Sequence, residues 1–147
     1  MEDRFIHYQE SITSLNRAWR TVRELEAAEP GSAIWAAAYR MVLVEYCKPF
    51  KRSNGLVLKT LKLDVPELIG DLNQIHDQVL HLRDKFLAHS DLDSIDPKVY
   101  YAVNGEPIIL KNTSPVMPSL YELRTLIENV LNHLYERESD YASYEKP

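Results

Sequence analysis

The chain has 147 residues, 45% of them hydrophobic and 27% charged, which suits one globular domain with its own core and excludes wholesale disorder. A net charge of −5 argues against a protein that coats nucleic acid through a general basic excess, though not against a local basic cleft. With no basic-plus-apolar leader and no apolar stretch of membrane length, a cytoplasmic protein without a membrane partner is expected.

Four segments carry helical periodicity. In the first, Phe5, Tyr8, Ile12, Leu15, Trp19 and Val22 recur at steps of three and four, and Glu29-Pro30-Gly31 ends it. Ser32 can cap a second helix from Ala33 to Cys47, apolar nearly all round apart from Arg40 and Glu45. Such a helix is expected at the centre of a bundle, and Pro49 stops it. Its lone cysteine, Cys47, sits in an apolar run, where a thiol acts as a small hydrophobe rather than a nucleophile. From Tyr46 to Leu63 there is no acid, while Lys48, Lys51, Arg52, Lys59 and Lys62 fall inside the window. This is either a solvated basic loop or a patch facing phosphate.

The third helix is predicted to start at Asp64-Val65-Pro66-Glu67, a capping box with proline in the first turn. Leu68, Leu72, Ile75, Val79, Leu82 and Phe86 then form a four-three seam of the kind that packs against antiparallel neighbours. After it, Val99–Val103 and Ile108–Leu110 flank Asn104-Gly105, a strong hairpin turn signal. Pro107 stands where an edge strand tolerates it. Ser119-Leu120-Tyr121-Glu122 is a second capping box, opening a fourth helix with the seam Leu120, Leu123, Ile127, Val130 and Leu134. The expected fold is all-α: an up-and-down four-helix bundle over residues 1–138, with a short β-hairpin at about 98–111 inserted between the third and fourth helices. Residues 139–147 read as a flexible C-terminal tail.

The one dense polar constellation lies at the end of the third helix, from Arg83-Asp84-Lys85 to His89-Ser90-Asp91. His89 continues the spacing of seven set by Leu68, Ile75 and Leu82, so it points toward the bundle interior or its mouth. Arg83 belongs to an adjacent stripe, His76, Leu80, Arg83, Leu87 and Ser90, whose apolar half suits a partner, most commonly a second copy. The unpaired carbonyls of a helix end and Asp91 should raise the His89 pKa, while burial should lower it. An arginine presents a planar fork to phosphate oxygens and cannot lose its proton. Arginine, an acid and a histidine grouped in this way suit phosphodiester cleavage. Arg83 would stabilise charge on the phosphorus oxygens and His89 would move the protons of the 2′-hydroxyl or the leaving oxygen. Asp84 would orient the arginine or that hydroxyl, with Lys51, Arg52 and Lys85 guiding the RNA backbone.

The string Arg83-Asp84-x4-His89, within LRDKFLAHSD, resembles the signature of the HEPN superfamily, and of its abortive-infection branch in particular. The resemblance covers about ten residues, with agreement in helix order beyond them. It implies a helical bundle that forms a homodimer and brings two motifs into one cleft. In active members it implies metal-independent RNA cleavage leaving a 2′,3′-cyclic phosphate, hence no cofactor. The associated contexts are toxin–antitoxin pairs, with an antitoxin as possible partner, phage defence and CRISPR effectors. Asp91 stands where one toxin branch carries a modified tyrosine, so that regulation is not implied, and the hairpin is not part of the minimal family bundle.

Two other readings stand beside it. The chain could be a non-catalytic HEPN module that binds a nucleotide or a protein. Asp77, His81 and Asp84 lie at i, i+4 and i+7, a possible metal trio, on a face that otherwise carries Asp71, Gln74 and Gln78 and so reads as solvated surface. Zinc-ligand spacing, a Glu-x-x-His pattern and a glycine-rich phosphate loop are all missing. Tyr100 and Tyr101 on the hairpin are placed either to pack or to stack on bases.

Overall fold

Apolar residues three and four apart build a 26-residue helix, α1 (Glu2–Ala27), whose inner side buries Tyr8, Leu15, Ala18, Val22 and Leu25. The computed structural model describes residues 2–84, 98–110 and 116–142. After α1 come α2 (Ala33–Cys47), a 3-10 turn (Lys48–Phe50) and α3 (Leu72–Leu82). A hairpin of β1 (Lys98–Tyr101) and β2 (Pro107–Leu110) follows, then α4 (Leu120–Glu136) and the short α5 (Glu138–Ala142). The protein is mostly helical with one small antiparallel hairpin. α1 packs on α2, the 3-10 turn, α4 and α5, and α3 packs on α2 and α4.

The helix starts at Ser32 and Ser119 follow the expected chemistry. Ser32 Oγ accepts the Trp35 N–H at 3.0 Å, satisfying a donor that the first turn would leave unpaired. Ser119 Oγ accepts the Glu122 N–H at 3.1 Å, and Glu122 Oε1 accepts the Ser119 N–H at 3.3 Å, a complete capping box. From there α4 buries Leu123, Leu126, Ile127, Val130, Leu131 and Leu134, with Leu120 half-buried beside them. The carbonyl of Leu134 accepts the buried Tyr8 hydroxyl at 2.7 Å, which fixes α4 along α1.

The third helix starts later than the pattern at Asp64–Glu67 predicts. Residues 62–69 form neither helix nor strand, and the helix begins after Asp71, one residue beyond Gly70, which has φ +58°. That left-handed backbone cannot lie inside a helix. This irregular segment instead buries Leu63, Pro66 and Leu68, alongside Leu61 just before it, and Leu63 donates its N–H to the Pro49 carbonyl at 2.8 Å. Downstream the seam holds, with Leu72, Ile75, Val79 and Leu82 all buried. The helix then passes into a π-type turn at Arg83 and Asp84.

Two further expectations change. α2 is not central along its whole length: Tyr39, Val42, Leu43, Tyr46 and Cys47 are buried, but Ile34 is 83% exposed and Met41 50%. Its C-terminal half is the more sheltered, while in the N-terminal half Trp35 and Ala38 are part-buried against the core. His76, assigned above to a partner-facing stripe, lies inside its own chain. Its Nδ1 is 2.7 Å from the Tyr46 hydroxyl, and the Phe50 ring stands edge-on to it at 4.8 Å. Leu80 likewise packs against the core.

In the hairpin, Val99 pairs with Ile109 and Tyr101 with Pro107. Asn104 and Gly105 form the turn, Gly105 at φ +82°, with the Gly105 N–H bonded to the Ala102 carbonyl at 2.8 Å. Val99, Tyr100, Tyr101, Ile108 and Ile109 are exposed. Where a tail was expected, residues 138–142 form α5, and the Tyr141 ring stacks on Tyr8 with centroids 4.3 Å apart. Among the described helices, none is long and apolar enough to cross a membrane.

Three outcomes follow from this packing. Leu123→Ala should cost about 3 kcal/mol of stability in urea denaturation, because the fully buried site leaves a cavity. Burial pushes the Cys47 thiol up to about 12, with Lys51 and Arg83 opposing, so a thiol reagent at pH 8 should label it only as fast as the protein unfolds. Burial also lowers the His76 pKa, opposed by Asp77, and burial lowers that of His7. The unfolded chain takes up these protons near pH 6.5 while the folded one resists them. The urea midpoint should therefore fall as pH drops through 6.5, and His76→Gln should flatten that slope.

Candidate functional site

Three separated pieces of the chain converge on one cleft of about 430 Å³. One wall is α1, where His7, Ser11, Ser14 and Arg17 recur at steps of three and four and so share a face, with Glu10 beside Ser11. The rest of the lining comes from Val44 near the end of α2, from Lys48, Pro49, Lys51, Arg52 and Ser53, and from Arg83 just past the end of α3. Cation chemistry dominates the lining in a chain whose overall charge is negative.

Asp84 ties two of these pieces together. Lys51 Nζ lies 2.5 Å from Asp84 Oδ2, and Arg83 Nη1 lies 3.0 Å from Oδ1. The hydrogen bond from Lys51 holds the Asp84 carboxyl below the ordinary carboxylate range, burial opposes it, and Arg83 adds to it. The carboxylate is therefore charged at neutral pH and keeps both cations at the cleft. Lys48 Nζ is similarly paired with Glu45 Oε1 at 2.7 Å. Glu45 is buried, and its Oε2 has no hydrogen-bond partner among the described residues. Arg17 and Arg52 make no ion pair among the described residues.

A second carboxylate holds the segment that follows Arg52. Asp3, in the first turn of α1, accepts the backbone N–H groups of Leu56, Val57 and Leu58 at 3.1, 2.7 and 2.7 Å. Those bonds, the one from Leu58 foremost, lower its pKa. Ser53 and Leu61 bond to each other's backbone at 2.9 and 2.8 Å and close the loop at its base. Gly55 is required at its closest approach: a Cβ there would lie 2.5 Å from Asp3 Oδ2.

Of the six residues singled out from sequence, Arg83, Lys51 and Arg52 line the cleft, and Asp84 pairs with Lys51 and Arg83 beside it. His89 and Lys85 lie outside the described residues, as does most of the LRDKFLAHSD string. Asp84, assigned above to a possible metal trio with Asp77 and His81, is engaged by Lys51 and Arg83. Among the described residues no group of three His, Cys, Asp or Glu side chains is placed to hold a metal. Lys48, named above as part of the basic window, also lines the cleft, whereas sequence reasoning missed the whole α1 wall. Its signal was present, since Ser11 and Ser14 stand on the buried side of α1 beside Tyr8, Leu15 and Ala18, where apolar residues are the rule.

No protein-family model matches this chain, and neither a curated protein nor a solved structure is significantly similar to it.

Removing the Asp84 charge should leave the fold standing while making the cleft more cationic. Asp84→Asn is expected to change stability by no more than about 1 kcal/mol, because the pairs are part-exposed and both cations regain water. The same variant should leave a heparin column at higher salt than the parent.

Proposed function

We propose that this protein is a HEPN-type, metal-independent endoribonuclease that cuts RNA by 2′-hydroxyl attack at the cleft of a homodimer, in a defence or toxin-like role. One observation carries the reading. Arg83, singled out by the R-D-x4-H string, and Lys51 and Arg52, singled out by an acid-free basic window some thirty residues earlier, line the same cleft. A volume of about 430 Å³ falls in the range of small-ligand sites and has room for a nucleotide.

In this reading Arg83 binds the scissile phosphate and stabilises the charge that develops on its oxygens. Asp84 fixes that guanidinium in position. Its bond to Lys51 makes the two cations one unit rather than two independent side chains. His89 transfers the protons, and Lys51, Arg52 and Lys85 track the backbone. The helix contacts suit an up-and-down four-helix order, with α1 between α2 and α4 and α3 against α4. The homodimer, an antitoxin partner and a cytoplasmic setting belong to the same proposal.

A second reading is a non-catalytic HEPN module that binds a nucleotide. The observation favouring it is that the cationic cleft is assembled within one chain.

The test is incubation of the purified full chain with unstructured RNA in EDTA across several pH values. The expected result is cleavage with 2′,3′-cyclic phosphate ends, lowered about 100-fold in Arg83→Ala and at least as much in His89→Ala. Cleavage that survives both substitutions removes this site assignment. A parent that binds RNA and never cuts it leaves the binding module.

A further inference from the structure

The motif and the basic window account for one side of the cleft only. The α1 wall is built from different material. Ser14 is more than nine-tenths buried, lines the cleft, and makes no hydrogen bond among the described residues. Its neighbours behave otherwise: Ser11 donates to the His7 carbonyl at 2.7 Å, and Thr13 and Thr21 donate to the carbonyl four residues back. No hydrogen bond within the described residues occupies its hydroxyl, and the cleft leaves that hydroxyl open to donate to a ligand. One turn further along stands Arg17, on the cleft and without an ion pair among the described residues. Arg52, which lines the same cleft, is likewise without an ion pair among the described residues.

We infer that Ser14 and Arg17, with Arg52 of the same cleft, form a nucleotide-phosphate subsite separate from the scissile-phosphate position at Arg83. A guanidinium fork offers two parallel N–H groups to phosphate oxygens, and a serine hydroxyl donates a third bond. Glu10 lies on the same wall, seven residues before Arg17 and so about 10 Å away along the helix. Its negative charge repels phosphate from the His7 end and leaves the Arg17 end to it. The small side chains of Ser11 and Ser14 keep the floor open, where a leucine would fill it. The subsite deepens the ribonuclease reading, because it holds a neighbouring phosphate of the strand while Arg83 takes the one being cut. It rests on that reading only for RNA as the source of the phosphate.

The experiment measures binding of a fluorescent 12-mer 2′-O-methyl uridylate, which cannot supply the attacking hydroxyl, to the full chain at several salt concentrations. Arg17→Gln should weaken binding roughly 10- to 100-fold, the range for a hydrogen bond to a charged group. It should also reduce the slope of log K against log salt by about 0.7, the value of one lost contact on a single strand. Ser14→Ala should weaken binding several-fold with no loss of melting temperature, and Arg20→Gln, an exposed cation of α1 off the cleft, should bind as the parent does. Uridine monophosphate that competes against the parent but not against Arg17→Gln supports the subsite with a terminal phosphate as ligand. A 12-mer effect without such competition supports it with an internal phosphodiester. Parent-like binding by both Arg17→Gln and Ser14→Ala overturns the subsite, as does a parent that binds neither probe. If the parent also cuts RNA, the subsite alone has failed. Binding that falls in the variants of a parent that never cuts RNA keeps the subsite and removes the nuclease.

Discussion

Helix α1 is the surface on which the rest of the molecule is laid down. α2, the 3-10 turn, α4 and α5 all pack on it, and a loop closes onto its first turn. A single helix can serve so many neighbours only by dividing its circumference. One face carries Leu15, Ala18, Val22 and Leu25 into the core, where burial supplies what helix propensity alone does not. Another carries Asp3, His7, Ser11, Ser14 and Arg17 toward polar work. The cleft exists because the second face is roofed by the basic segment without being filled by it.

Behind the cleft the interior is less oily than its hydrophobic roster suggests. Tyr46, His76 and Cys47 form a buried polar group at the junction of α2 and α3, with the thiol directed at the Val79 carbonyl at 3.8 Å. The tyrosine–histidine bond has a definite length and direction, which apolar contacts lack, and so it sets where α3 lies along α2. Through α3 it also sets where Arg83 arrives. This arrangement is sensitive to acid, since a second proton on the imidazole would have to be accommodated beside Tyr46 and Phe50.

Much of the fold was legible because its signals are local. A serine followed three residues later by a glutamate defines one helix start, Asn-Gly one turn, and steps of three and four one buried stripe. The late start of α3 was not legible for the converse reason. Asp64-Val65-Pro66-Glu67 carries the right side chains for a cap, but the burial of Leu61, Leu63 and Leu68 by a non-helical stretch is decided by the core around them. A period of two in Leu61 and Leu63 hinted at it. The same distinction divides the site. Arg83 and the basic window stand out in a string of letters, whereas Ser14 and Arg17 gain meaning only when a distant segment covers them. Polar residues on an inward helix face read as imperfections until the cavity beside them is seen.

The loop between Ser53 and Leu61 carries a final consequence. It is anchored by the carboxylate of Asp3, the second residue of the described helix, and Gly55 leaves no slack at that anchor. The electrostatic character of the groove is therefore tethered to a part of the chain that contributes none of its charges. Proteolytic clipping of the first few residues, or a bulky fusion that unwinds the first turn, would act as a remote control. It would let Arg52 drift while every groove residue remained intact.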